Sequence, residues 1–258
     1  MSIRTGNRLL DTLSPDLTAF ILSASRHIDL PARKLLYKGG VPQKHVYLLA
    51  NGLASVTISS TDGTSVEVGM TGSEGIVGFG SLLGPATTVS DCCMEIAGAG
   101  WSLPVEVAQR LFRDNLEFRT QVLALLQSQM AISSQNAACN KLHEAEPRLA
   151  RWLLTAADRY GSETLQHLTQ ESLGHKLGTQ RTTVVLAEGH LQQMGLVRHT
   201  RGKVRIVDRQ GLERVACSCY QVTKAVLAGF PSPEIEMEPI PLNVVAGTVP
   251  RNGFGRAA

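Results

Sequence analysis

The chain is expected to be an α+β protein in three parts, and three observations predict this. Between Ile28 and Leu103, short apolar runs are separated by the turn dipeptides Gly39-Gly40, Asn51-Gly52 and Asp62-Gly63. Many short strands between glycine turns point to a sandwich or jelly roll rather than to alternating strands and helices. Asn115 to Leu142 is the longest segment free of Pro and Gly, which suits one long helix. Leu168 to Val207 then reads as two short amphipathic helices and a hairpin.

Composition narrows the class. At 258 residues there is room for two ordinary domains. No run approaches the ~20 apolar residues of a membrane span, so no membrane association is expected. The beginning, MSIRTGNRLLDTLSPDL, lacks an apolar stretch followed by a small-residue cleavage site, which places the chain in the cytoplasm. Five cysteines, two of them adjacent at Cys92 and Cys93, make no even disulfide framework, and free thiols are expected. A net charge of +3 permits nucleic-acid binding without arguing for it.

Taken in order, Asn7 to Ser23 has helical period in Leu9, Leu10, Leu13, Leu17 and Ile21, with a restart at Ser14-Pro15. Strands are expected at Lys34–Tyr37, Val46–Leu49, Ala54–Ile58 and Ser65–Val68. A glycine-rich stretch from Gly72 to Leu83 interrupts them, Val89–Ile96 and Gly100–Leu103 resume, and Pro104 starts a short helix. The long helix carries two apolar stripes: Phe118, Val122, Leu125 and Ile132 on one side, and Leu116, Leu123, Leu126 and Met130 on the other. A helix apolar on two sides needs two partners, here its own strand domain and a second copy of itself, so a homodimer is expected. Pro147 fits the first turn of a following helix, Arg148 to Tyr160, with Leu149, Trp152, Leu153 and Ala156 inward.

Thr169 is a good N-cap, Glu171 suits a helix start, and Leu173 and Leu177 share a face. Gly178 tolerates positive φ, Thr179 can cap again, and Val184, Ala187 and Leu191 repeat at helical spacing. Gln180, Arg181, Thr182, Thr183 and Leu186 stay outside, a set able to reach base edges and phosphates. Leu196–Arg198 and Lys203–Val207 form a wing around the turn His199-Thr200-Arg201-Gly202. Asp208 to Val226 suits a last helix, and the Pro- and Gly-rich remainder is expected to be disordered. The division follows as 1–114, 115–142, 143–226 and a tail at 227–258.

This order of parts, with EVGMTGSEGIVGF in the strand region and LTQESLGHKLGTQRTTV followed by LQQMGLVRHTRGKVRIVDRQGLE, resembles the Crp/Fnr family of bacterial transcription regulators. The resemblance covers about Asn7 to Tyr220. It is most specific from Thr169 to Gly202, in T-x-x-x-L-G-x-x-L-G-x-x-R-x-T-V and L-x-x-x-G-L-V. It implies a cyclic-nucleotide-binding-like β-roll (a double-stranded β-helix), a long dimerisation helix, and a winged helix-turn-helix that reads double-stranded DNA as an inverted repeat. RNA polymerase is then an expected partner. The resemblance makes Arg181 the base reader, its guanidinium fork suiting guanine O6 and N7. Gln180, Thr183 and Thr169 would hold phosphates, with Gln170, Thr182, Arg201 and Lys203 completing the contact set. Leu186 and Thr182 depart from the best-known members, which carry a second Arg and a carboxylate there, so a different operator is expected.

Cyclic-nucleotide-binding relatives use a Glu for the ribose and an Arg for the phosphate. Glu74 is available, and Gly75, Thr87 and Thr88 are the other candidates for a ligand pocket, but no Lys or Arg occurs from Glu74 to Gln109. A buried phosphate would lack its charge partner, so cyclic AMP is not the expected effector, which stays unidentified. Cys217-x-Cys219 is far from the amino-terminal cysteine cluster of iron-sulfur members, Cys92-Cys93 reads as core, and no histidine spacing demands a metal. No metal or cofactor is therefore expected. An enzyme is not expected either: there is no His-x-His, nucleophile elbow or P-loop. The alternative is a ligand- or redox-controlled binding protein that uses its helix-turn-helix for protein contacts.

Overall fold

The structure is a computed structural model describing residues 4–61, 64–85 and 87–229. The expected Asp62-Gly63 turn, and the tail from residue 230 on, lie outside the described residues. Two helices lead in, α1 (Arg8–Thr12) and α2 (Pro15–Ala24), with the restart at Pro15. Asn7 starts the first: its side-chain oxygen accepts from the Leu10 amide, and its amide donates to the carbonyls of Leu49 and Gly75 at 2.9 and 3.0 Å. One buried side chain thus caps a helix and pins it to the strands behind.

Eight strands follow: β1 (Arg26–Leu30), β2 (Leu35–Tyr37), β3 (His45–Leu49), β4 (Leu53–Ser59), β5 (Ser65–Thr71), β6 (Ile76–Val77), β7 (Asp91–Ile96) and β8 (Gly98–Pro104). They form two antiparallel four-stranded sheets, in the orders β1-β8-β3-β6 and β2-β7-β4-β5. Leu30, Leu36, Leu49, Ala54, Val77, Cys92 and Met94 make one apolar cluster of this β-roll. Of the cysteine pair read as core, Cys92 is buried and Cys93 half-buried, as alternation along β7 places them. Burial is the main cause raising the Cys92 thiol far above its usual range.

Helices α3 (Val105–Asp114) and α4 (Leu116–Leu142) come next, the second capped by Asn115, whose side chain accepts from the Phe118 amide at 2.8 Å. Phe118, Val122 and Leu125 are buried against the lead-in helices, α3 and the β-roll. Ile132 is buried farther along α4. Of the two stripes of the expected dimer helix, Phe118, Val122, Leu125 and Ile132 are therefore the one buried within the chain itself. The opposite stripe is open, with Leu116 67%, Leu123 46% and Met130 62% exposed.

The remainder is α5 (Ala145–Tyr160), β9 (Thr164–Gln166), α6 (Gln170–Leu177), α7 (Arg181–Gln193), β10 (Val197–Thr200), β11 (Lys203–Ile206), α8 (Arg209–Val215) and α9 (Cys219–Ala228). Pro147 lies in the first turn of α5, where its missing N–H costs nothing. Three details differ from expectation. β9 pairs with β11 to make the wing three-stranded. The expected last helix is two, broken at Ala216 to Ser218. The second of these continues to Ala228, into the first residues assigned to the tail.

The carboxy-terminal helices pack on the outer sheet of the β-roll. Leu53, Met70 and Ile96 of that sheet join Trp152, Leu153, Leu173 and Leu177 in one apolar cluster. Around it runs a ring of buried charge. Lys176 of α6 lies 3.2 Å from Glu67 on β5 and 2.8 Å from Glu95 on β7, with its ammonium 5.3 Å from the centre of the Trp152 ring. Glu67 also accepts from the Trp152 indole at 2.7 Å and from the Ser55 hydroxyl at 2.5 Å. Burial works to lower the Lys176 pKa, but the carboxylates of Glu67 and Glu95 hold it above its ordinary value.

Candidate nucleic-acid interface

The corner between α6 and α7 is built by local chemistry. Thr169 and Ser172 form a reciprocal capping box, with 3.0 Å from the Ser172 amide to Thr169 Oγ1 and 2.9 Å from the Thr169 amide to Ser172 Oγ. Gly178 ends α6 at φ 57°, a left-handed conformation that a side chain would strain, and a Cβ there would sit 3.0 Å from Val66 of β5. Thr179 does not cap α7 as expected. Gln180 takes that position in extended conformation, with no side-chain bond. Leu173, Leu177, Val184, Ala187 and Leu191 close the space between the helices.

With those residues turned inward, the start of α7 faces outward. Gln180, Arg181 and Thr182 are exposed, Thr183 is half-buried, and Leu186 is 67% exposed one turn on. Beside them stands the wing. Thr200 pairs with Lys203, so the turn is only Arg201-Gly202, at φ 43° and 75°, two left-handed residues that match a type I′ hairpin. This corrects the longer turn expected from His199: His199 and Thr200 belong to β10. The Leu168 amide donates to the Gly202 carbonyl at 2.9 Å and ties the wing to the start of α6. Thr169, Gln170, Arg181, Arg201 and Gly202 line one open recess between wing and helices.

Two polar residues organise this face from behind. Glu188 of α7 is almost fully buried, accepts from Gln170 Nε2 at 3.0 Å and has Oε1 2.6 Å from His199 Nδ1, off the line of a hydrogen bond. Gln170, placed in the contact set by resemblance, therefore has its amide committed inside the domain. Residues the sequence reading passed over are Arg198 and Arg205, exposed and directly opposite each other on β10 and β11. Like charges across a ladder repel, and strand alternation alone placed both on the outer face.

A family pattern described as the Crp-like helix-turn-helix domain matches residues 147–215, from the first turn of α5 to the end of α8. The CRP-like cAMP-activated global transcriptional regulator of Mycobacterium tuberculosis is 23% identical over 212 residues, covering 79% of this chain and 94% of that protein. Residues 147–215 thus carry a Crp-like helix-turn-helix domain, and the chain is similar over most of its length to a CRP-like regulator. Solved structures share the fold. A Crp/Fnr family regulator from Eubacterium rectale is 18% identical, with a TM-score of 0.65 over 80% of this chain and 96% of that one. FixK2 from Bradyrhizobium japonicum is 16% identical, with a TM-score of 0.65 over 75% and 98%. The c-di-GMP responsive regulator CLP from Xanthomonas campestris is 18% identical, with a TM-score of 0.62 over 75% and 99%. The family is one of DNA-binding regulators, not of enzymes. Among the described residues, no helix is long and apolar enough to cross a membrane.

The pocket candidates in the β-roll do not come together. Glu74 is buried and paired with Arg159 of α5 at 2.8 Å, and Arg159 also donates to the Met70 carbonyl. A Cβ on Gly72 would sit 2.9 Å from the Arg159 carbonyl, which is how closely the two parts of the chain approach there. Gly75 faces Leu125 of α4. Thr88 lines a separate recess with Tyr37, Gln43, Phe79, Ser90 and Gln129, and Thr87 is exposed outside it. Glu74 is thus the partner of an internal arginine, at the floor of a recess that it lines with Arg8, Ser73 and Lys224 and apart from Thr88. No charged side chain lines the Thr88 recess, while Gln43 Oε1 and Gln129 Nε2 are buried there without partners.

Proposed function

We propose that this regulator binds double-stranded DNA as a homodimer at an inverted repeat, with α7 in the major groove of each half-site. The observation that supports this best is the outward set at the start of α7, flanked by the wing tip, while Leu173, Leu177, Val184, Ala187 and Leu191 close the corner behind it. Arg181 reads guanine as a two-pronged donor, and Leu186 offers only apolar contact, as to a thymine methyl. Thr169, Gln180, Thr182, Thr183, Arg201 and Lys203 hold the backbone and set register. Half-sites one helical turn apart, ~34 Å, are the general spacing for such dimers.

The open stripe Leu116, Leu123 and Met130 is the dimer surface, repeating every seven residues as in a coiled-coil seam. Residues 1–114 form the sensor, 115–142 the dimer helix and 143–226 the reader. The sensor answers to an uncharged effector rather than a cyclic nucleotide, since the Thr88 recess has no cation for a phosphate and offers one free acceptor and one free donor. The protein works in the cytoplasm and contacts RNA polymerase from its DNA site.

Selection of binding sites from fragmented genomic DNA, followed by gel shifts over a range of salt, tests the reading. An enriched two-fold motif and a steep salt dependence are expected. A shift that is absent or insensitive to salt, with and without cell extract as effector source, would return the helix-turn-helix to protein contacts.

A further inference from the structure

At the joint where α4 ends, four metal-ligating side chains meet that sequence spacing left apart. Cys139 lies in the last turn of α4 and His143, four residues on, is its C-cap, so both fall on one side of the helix end. Cys217 and Cys219 bracket Ser218 at the break before α9; Ser218 is exposed and both cysteines are turned in. Cys139 Sγ is 3.5 Å from Cys217 Sγ, Cys219 Sγ is 3.5 Å from His143 Nδ1, and all four ligand atoms lie within 4.8 Å of one another. We propose that Cys139, His143, Cys217 and Cys219 bind one Zn²⁺ ion that fastens the end of α4 to α9.

Geometry and chemistry agree on this ion. A tetrahedral zinc with the usual Zn–S and Zn–N lengths has ligand-to-ligand edges of roughly 3.6–3.8 Å, close to the distances between these atoms. Three thiolates and an imidazole form a soft, closed set with no open position, which suits a structural zinc rather than a catalytic one. A disulfide would use two of three sulfurs and leave the imidazole unexplained. A two-iron cluster holds its ligands in two pairs on separate irons, farther apart than this set.

The surroundings are those of a charged centre. The three sulfurs form a cluster of their own, apart from the apolar cores, and Gln135 Nε2 donates to Cys219 Sγ at 3.0 Å, as an outer partner to a metal-bound thiolate does. Zinc with three thiolates and one imidazole carries one net negative charge. Arg148 and Arg151 of α5 are both buried and near enough to feel the cysteines' charge, and the Nε of each has no hydrogen-bond partner. The site lies between α4 and the first turn of α5, so the ion would stiffen the joint that carries the reader. This inference does not depend on the DNA reading.

Full-length protein purified without chelators and assayed for metals by mass spectrometry is expected to hold about one zinc per chain. Cobalt added to chelator-treated protein should give the sulfur-to-metal and tetrahedral absorption bands of a thiolate site. Cys219→Ser should lose the metal. Gln135→Leu, which touches no backbone bond, should keep the fold and weaken zinc by roughly 10- to 100-fold. Wild-type protein that binds neither zinc nor cobalt would overturn the assignment. So would iron with acid-labile sulfide, or a Gln135→Leu variant with unchanged affinity.

Discussion

At the scale of single residues, Arg181 and Lys176 stand five positions apart and face opposite ways, Arg181 exposed at the start of α7 and Lys176 buried against the β-roll. Arg181→Ala is expected to cost ~1–3 kcal/mol of discrimination at one base pair of each half-site, roughly 5- to 150-fold, measured by competition between selected and mutated sites. Lys176→Met leaves Glu67 and Glu95 buried without their cation, and breaking such a pair costs ~3–5 kcal/mol. Denaturant unfolding and limited proteolysis between residues 143 and 169 read this out. The sign with pH follows from the raised Lys176 pKa. Its stabilisation is complete below the ordinary value of 10.5 and is lost as pH rises through the higher folded value. The gap in stability between wild type and Lys176→Met should therefore stay constant from pH 7 to about 10 and narrow above that.

Elements were legible in the sequence where the signal is local. Thr169 announces its helix because an N-cap acts within three residues, and the wing was legible as a hairpin although its turn is two residues shorter than expected. β9 was not legible: three residues, Thr164 to Gln166, have no period of their own and exist as a strand only by pairing with β11. The same holds for Glu74, whose partner is 85 residues away, and for Cys139 and Cys217, 78 residues apart. Pattern gave α4 two apolar sides but not which side met the β-roll, and the burial of Phe118, Val122 and Leu125 decides it. Leu123→Glu with Met130→Glu, on the open side, should therefore leave helix content unchanged and give a monomer by analytical ultracentrifugation. A dimer that persists would move the interface elsewhere.

Over the whole molecule, charge is arranged so that the outer surface of the wing is basic while the surface between reader and sensor is neutralised internally. Replacing both Arg201 and Lys203 by Ala is expected to weaken binding to all sequences alike. It should flatten the plot of log affinity against log salt by about 0.9 for each phosphate contact removed, measured by fluorescence anisotropy. Selectivity should be unchanged, which separates these residues from Arg181.

Strand β5 has a place in both halves of this arrangement. Glu67 on it holds Lys176 of the reader, while Val68 and Gly69 beside it line the Thr88 recess. This strand thus touches both the carboxy-terminal helices and the recess. Under the proposed function, an effector in the recess that changes affinity for the operator through β5 does so by a coupling free energy, and linkage makes that coupling symmetrical. DNA carrying the right site would then tighten or loosen the regulator's hold on its own signal by the same factor.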